Sequence, residues 1–181
     1  MREIRFHGRG GQGVVKSAQL IVQTVVDGDK YAHFIPSFGV ERKGSPVFGF
    51  LRLSDEEIRY KSQIRYPDAL VILDESLLRL PPTLAGLKDD GLIIINTTKT
   101  LDELRKIENL PEKFNNVYAV PATEIALNTI NLDIPNTAMV GAYAKIIGDI
   151  DIEILKKNIV KNFDENNLVA AEEAYNMVKK L

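Results

Sequence analysis

The sequence has no cysteine, no tryptophan and only two histidines. Without thiols it can form no disulfide, no thiolate zinc site and no cysteine-ligated iron–sulfur cluster. If electrons pass through clusters, those clusters belong to a partner. Long apolar runs are missing too: none reaches the roughly 18 residues of a membrane helix, and Met1-Arg-Glu-Ile-Arg-Phe6 leads straight into a folded pattern. A cytoplasmic protein without a membrane partner is therefore expected. Nor does one sign of charge dominate. Charged residues make up 27% and the net charge is −2, so the overall balance gives nucleic acid no reason to bind, and any basic site must be local.

What is present suffices for one core. A chain of 181 residues with 45% hydrophobic content can bury a single substantial apolar interior. No internal repeat, low-complexity stretch or linker divides it, so residues 1–181 are expected to form a single domain.

Glu3 to His7 alternates like a strand, Gly8 to Gly13 interrupts it, and Val14, Ala18, Ile21, Val22 and Val25 recur at helical spacing. Gly28 ends that helix. Tyr31–Ile35 and Val47–Leu53 read as strands, separated by a loop from Pro36 to Pro46 that is long enough to need a reason. Ala69–Leu73 and Leu92–Ile95 are unbroken apolar runs, the pattern of parallel strands covered on both faces. Thr100–Glu108 and Ala122–Ile130 read as helices flanking a strand at Asn116–Val120. Beyond Asn136 the pattern is helical only, over Thr137–Ile147, Ile152–Phe163 and Leu168–Leu181. The alternation predicts an α/β class: a Rossmann-like domain, mainly parallel sheet, helices on both faces, and a helical C-terminal third packed on the same sheet.

Gly8-Arg9-Gly10-Gly11-Gln12-Gly13 fits G-x-G-x-x-G between a strand and a helix, where missing side chains let backbone N–H groups approach a phosphate at the helix N-terminus. The plainer alternative is a tight turn with no ligand, since glycine also serves close packing. A P-loop is rejected because Val14-Val15 follow Gly13 and Lys16-Ser17 come too late. NAD is disfavoured: an acid is needed about 20 residues beyond the turn, and His33-Phe34-Ile35 stand there. NADP stays open, because Arg42 and Lys43 could meet a 2′-phosphate.

Those two cations lie within Pro36–Pro46, beside Glu41 and between Gly39 and Gly44. In a doubly wound sheet a loop at the carboxyl end of the second strand would face the glycine turn across one crevice. Otherwise it is a solvated surface loop. His7 and His33 have no triad partner or metal spacing, so packing or a surface role is expected for both. Asp74 and Glu75 follow a strand and are expected to cap the next helix. Asn136-Thr137 read as an N-cap, and Asp55-Glu56-Glu57 as a solvated turn.

Taken together, His7 to Val15, Phe38 to Pro46, Arg52-Leu-Ser-Asp55, Pro67-Asp68 and Pro135-Asn-Thr-Ala-Met-Val-Gly141 resemble the gamma subunit of 2-oxoacid:ferredoxin oxidoreductases, most closely the pyruvate synthase kind. Lys43-Gly44-Ser45 departs from that family's commoner Arg-Gly-Gly/Ala but keeps the charge. The resemblance implies a complex with alpha, beta and delta subunits that converts a 2-oxoacid, coenzyme A and oxidised ferredoxin to acyl-CoA, carbon dioxide and reduced ferredoxin, or the reverse. It places thiamine diphosphate, magnesium and iron–sulfur clusters on the partners and leaves this chain near the coenzyme A channel. Consistent with that division, Gly28-Asp29-Lys30 and Gly148-Asp149-Ile150 both lack the third glycine of a thiamine diphosphate motif. Gly8, Gly10, Gly11, Gln12, Gly13, Arg42, Lys43 and Gly44 are the candidate coenzyme A contacts, with no catalytic or metal-binding residue, and the chain alone is expected to be inactive.

Overall fold

The runs Ala69–Leu73 and Leu92–Ile95 become the middle of one seven-stranded sheet because their side chains alternate between two apolar interiors. Leu70, Ile72, Ile93 and Ile95 face one cluster, closed by Leu78, Leu87, Leu104, Leu110 and Phe114. Ala69, Val71, Leu73 and Ile94 face the other, larger one, closed by helical residues such as Ile21, Val25, Tyr143, Ile159 and Ala174. Strands buried on both sides need no polar face, which is why these segments contain none. The computed structural model describes residues 1–38 and 44–181.

The strands are β1 (Arg2–Arg9), β2 (Tyr31–Phe38), β3 (Pro46–Ser54), β4 (Ala69–Ile72), β5 (Leu92–Asn96), β6 (Val117–Val120) and β7 (Lys179–Lys180). They lie in the order β2-β3-β1-β4-β5-β6-β7. The β1/β4, β4/β5 and β5/β6 pairs are parallel, and β2/β3, β3/β1 and β6/β7 are antiparallel. The expected α/β class with helices on both faces is therefore present. Its parallel part is confined to the centre, and the two segments flanking Pro36–Pro46 are longer than their patterns suggested. Pairing in register from Tyr31↔Ser54 to Phe38↔Val47 extends both strands, and Pro36 is tolerated because β2 is an edge strand.

The helices are α1 (Val14–Asp27), α2 (Pro81–Leu84), α3 (Leu101–Glu108), α4 (Ala122–Ile130), α5 (Asn136–Ile147), α6 (Ile152–Asn162) and α7 (Glu165–Met177), with a 3₁₀ turn at Glu75–Arg79. α3 starts where a capping box forms between Thr100 and Glu103. Two expectations are corrected. Residues 168–181 are not one helix: α7 ends at Met177, and Lys179–Lys180 pair with β6. Asn136-Thr137 do not cap α5 either. Pro135 holds the cap position, while both side chains are buried, Thr137 donating its hydroxyl to Asn167 Oδ1 at 2.9 Å. Of the C-terminal helices, α5 packs against β5 and β6, and α7 lies on α5 and α4.

Candidate functional site at the strand switch point

After β1 the chain crosses through α1 to one side of the sheet, and β4 continues on the other, so the carboxyl ends of β1 and β4 form a switch point. Such a point opens a crevice in doubly wound sheets. The glycine turn lies there. Gly8 and Arg9 end β1, Gly10 to Gly13 make the turn, and Gly13, with φ +83°, passes the chain into α1 without a side-chain cap. That backbone angle lies in the region that favours glycine.

The turn is joined to the far side of Pro36–Pro46 by two backbone hydrogen bonds. Gly10 N–H donates to the Ser45 carbonyl at 2.9 Å, and Gly44 N–H donates to the Gly10 carbonyl at 3.1 Å. The expected approach of the two elements is thus realised at Gly44 and Ser45. Arg42 and Lys43 lie outside the described residues.

Arg9 and Asp74, which no sequence pattern links, hold this corner together. The Arg9 guanidinium donates to Asp74 Oδ2 at 3.0 Å, to the Ser76 hydroxyl at 2.7 Å and to the Gly44 carbonyl at 3.0 Å. Gln12 Nε2 also donates to Asp74 Oδ2 at 3.1 Å, and its Oε1 accepts from Arg9 N–H at 2.8 Å. Asp74 caps the 3₁₀ turn through Ser76 N–H, as expected, and does this second task as well. Burial alone would raise its carboxyl pKa, but the Ser76 hydroxyl, Arg9, Gln12 and the Ser76 amide outweigh that and lower it. The carboxylate stays charged. A guanidinium carries five N–H groups, and among the described residues Arg9 makes three bonds from a side chain about one-third exposed.

Beside the turn, the ends of β4, β5 and β6 enclose a crevice of about 350 Å³ lined by Gln12, Asp74, Asn96, Thr97, Glu124 and Asp133, among others. Asn96 fixes its floor, donating to the Leu73 carbonyl and the Thr123 hydroxyl and accepting from Thr123 N–H. Glu75 is engaged by Lys99 and Thr97. Acidic side chains and no cation line it, so a polyanion is repelled from the crevice.

His7 is buried against Phe48, ring centroids 5.1 Å apart, and both ring nitrogens lack a partner among the described residues. Burial first, and the nearby Arg5 charge second, push its pKa down to about 3. It is a neutral packing residue, and His33 is half-buried in β2. Asp55, Glu56 and Glu57 are exposed as expected. For metal, the donor set is poor: no group of three or more ligating side chains occurs among the described residues.

A sequence profile of the pyruvate ferredoxin/flavodoxin oxidoreductase family matches residues 3–177. The chain belongs to that family. Within it, the chain is 46% identical over 180 residues to the common gamma subunit of the pyruvate/ketoisovalerate oxidoreductases of Thermococcus kodakarensis, covering 97% of this chain and 96% of the relative. It is 44% identical over 185 residues to the pyruvate synthase subunit PorC of Methanocaldococcus jannaschii, covering 99% of each. The crystal structure of the pyruvate oxidoreductase subunit PORC of Thermotoga maritima superposes with a TM-score of 0.86 at 35% identity, over 98% of this chain and 97% of that one. The resemblance drawn from His7 to Val15, Phe38 to Pro46, Arg52 to Asp55, Pro67-Asp68 and Pro135 to Gly141 is borne out. This member of the oxidoreductase family is of the gamma type.

Proposed function

We propose that this chain works in the cytoplasm as the gamma subunit of a pyruvate:ferredoxin oxidoreductase, assembled with alpha, beta and delta subunits, and that it holds the phosphates of coenzyme A. The complex decarboxylates pyruvate oxidatively to acetyl-CoA and carbon dioxide while reducing ferredoxin, or runs in reverse. Thiamine diphosphate, magnesium and the clusters sit on the partners, in keeping with a chain that has no cysteine. The chain by itself forms one domain and carries out no oxoacid chemistry.

The observation behind the coenzyme A assignment is the pair of backbone bonds that binds Gly10 to Gly44 and Ser45. They bring the start of α1, with its unpaired amides, close to Gly44 and Ser45, which follow Arg42 and Lys43 in the sequence. Pyrophosphate and ribose phosphate fit such a corner, whereas the acidic crevice next to it does not suit them. The free-standing NADP reductase left open by the sequence finds no support, since the relatives matched over nearly their whole length are subunits of 2-oxoacid oxidoreductases.

The test is to assemble the complex with Arg42→Ala or Lys43→Ala, confirm its subunit content, and measure the KM for coenzyme A alongside coenzyme-independent decarboxylation. A charge-assisted bond contributes about 1.5–3 kcal/mol, so KM should rise roughly ten- to a hundredfold with decarboxylation unchanged. An unchanged KM with altered decarboxylation removes the phosphate role.

A further inference from the structure

The connection between β3 and β4, from Asp55 to Asp68, contains no helix or strand. It is nonetheless pinned at several points. Arg52, itself buried, donates to the Ser62 carbonyl at 2.7 Å. Ile64 is 2% exposed, and Lys88 N–H reaches the Pro67 carbonyl at 3.3 Å. The Arg65 carbonyl lies so near Gly86 that a Cβ there would come within 2.0 Å of it. A connection of this length without secondary structure is unusual unless it has a task.

Between the pins, the outward side chains are aromatic or cationic apart from Ser62 and Gln63. Tyr60 is 66% exposed and Tyr66 is 67% exposed, while Arg59, Lys61 and Arg65 are exposed as well. From Ile58 to Pro67 the sequence has three cations and no acid. Arg59 reaches Glu57 at 3.4 Å, and among the described residues Lys61 and Arg65 make no ion pair. Exposed tyrosines and arginines held on a fixed backbone are the composition of an interface centre, because little conformational freedom is left to lose on binding.

We propose that residues 59–66 are the surface by which this chain docks onto an acidic face of a neighbouring subunit of the oxidoreductase. The proposal rests on the reading that the chain works inside a multi-subunit complex. Charge selects the occupant: a second copy related by a twofold axis would bring the same cations against each other, whereas a carboxylate-bearing protein face neutralises them and lets the two tyrosines bury. The segment follows the end of β3 and leads into β4, at the end of the sheet where the interior strand β1 begins, since Asp68 N–H donates to the Glu3 carbonyl. The glycine turn follows the other end of β1, roughly 25 Å away at about 3.3 Å per residue. Docking and ligand contact are thus separable by mutation.

The experiment pairs the tagged chain with the purified thiamine- and cluster-bearing subunits of its own complex and measures their dissociation constant at low and high salt. Lys61→Glu/Arg65→Glu and Tyr60→Ser/Tyr66→Ser are compared with the unaltered chain, whose thermal midpoint both variants should share because these side chains are exposed. Each pair should weaken assembly about tenfold or more, and the charge reversal should flatten the salt dependence. Equal assembly by both variants overturns the docking surface while leaving the subunit role intact. Failure of the unaltered chain to bind the subunits overturns both readings. A free chain that self-associates through this segment, with assembly unaffected by the substitutions, assigns it to a second copy and also overturns the proposal.

Discussion

Gly13 and Asn136 are in contact across the fold: a Cβ built on Gly13 would lie 2.7 Å from the Asn136 Cβ. The N-terminus of α1 therefore rests directly on the first turn of α5, and the Ser17 hydroxyl spans the two, lying 3.1 Å from the Gly13 carbonyl and 3.3 Å from that of Asn136. The glycine turn is a packing joint between α1 and α5. Gly13→Ala should lower stability by about 2–4 kcal/mol, from a left-handed backbone cost of about 1–2 kcal/mol plus overpacking. Gly148→Ala separates the two parts, because Gly148 has φ +68° with nothing within 4 Å of its added Cβ. It should show only the backbone cost. Equal losses in urea denaturation would mean that the Asn136 contact has no weight.

Asp74→Asn keeps the shape of the carboxylate and removes its charge from Arg9, Gln12 and Ser76. The expected loss at neutral pH is about 1–2 kcal/mol, less than a fully buried charged bond because both partners are partly exposed. Since folding depresses the Asp74 pKa below 3.8, its stabilisation is fully present above that value and disappears as pH falls through the lower folded one. The gap between wild type and variant should accordingly close in acid. A gap that stays constant below pH 3.8 would show that charge is not what Asp74 contributes.

His7 supplies a second pH signature of opposite origin. Its folded pKa of about 3 lies below the ordinary 6.5, so the unfolded chain takes up a proton that the folded one refuses. Stability should fall as pH drops below 6.5, by up to about 1.4 kcal/mol per unit, until the folded imidazole titrates near 3. His7→Leu should flatten this slope between pH 6.5 and 5, where Asp74 does not titrate. Parallel wild-type and variant slopes in that window would contradict a buried neutral histidine.

Local features of the fold were readable. Unbroken apolar runs marked β4 and β5, the 3.6-residue period marked α1, and the helical pattern from Thr100 to Glu108 matched α3. Pairings between distant segments were not. Lys179 and Lys180 have no strand pattern of their own and extend only because β6 offers them an edge. At the site, the glycines and their proximity to Gly44 were legible, but Arg9 occupied a variable position of the motif and Asp74 read as a helix cap. Nothing local signals that two residues so far apart in sequence share a hydrogen bond. Asn136 was misplaced for a similar reason: a residue type that favours caps is here buried by its neighbours, its Oδ1 accepting from Thr137 N–H.

The central position of β1 bears on how the chain assembles. All of its sheet partners come later in the sequence, β3 at residues 46–54 and β4 at residues 69–72. At a ribosomal rate of about 5–20 residues per second, the strand that carries the glycine turn waits several seconds for neighbours, with Ile4 and Phe6 exposed meanwhile. The corner around Arg9 can close only after Gly44 and Asp74 have both arrived. Nascent-chain truncations ending before Asp74 should remain sensitive to protease within β1, and the full-length chain, whose α5 and α7 cover Ile4 and Phe6, should not.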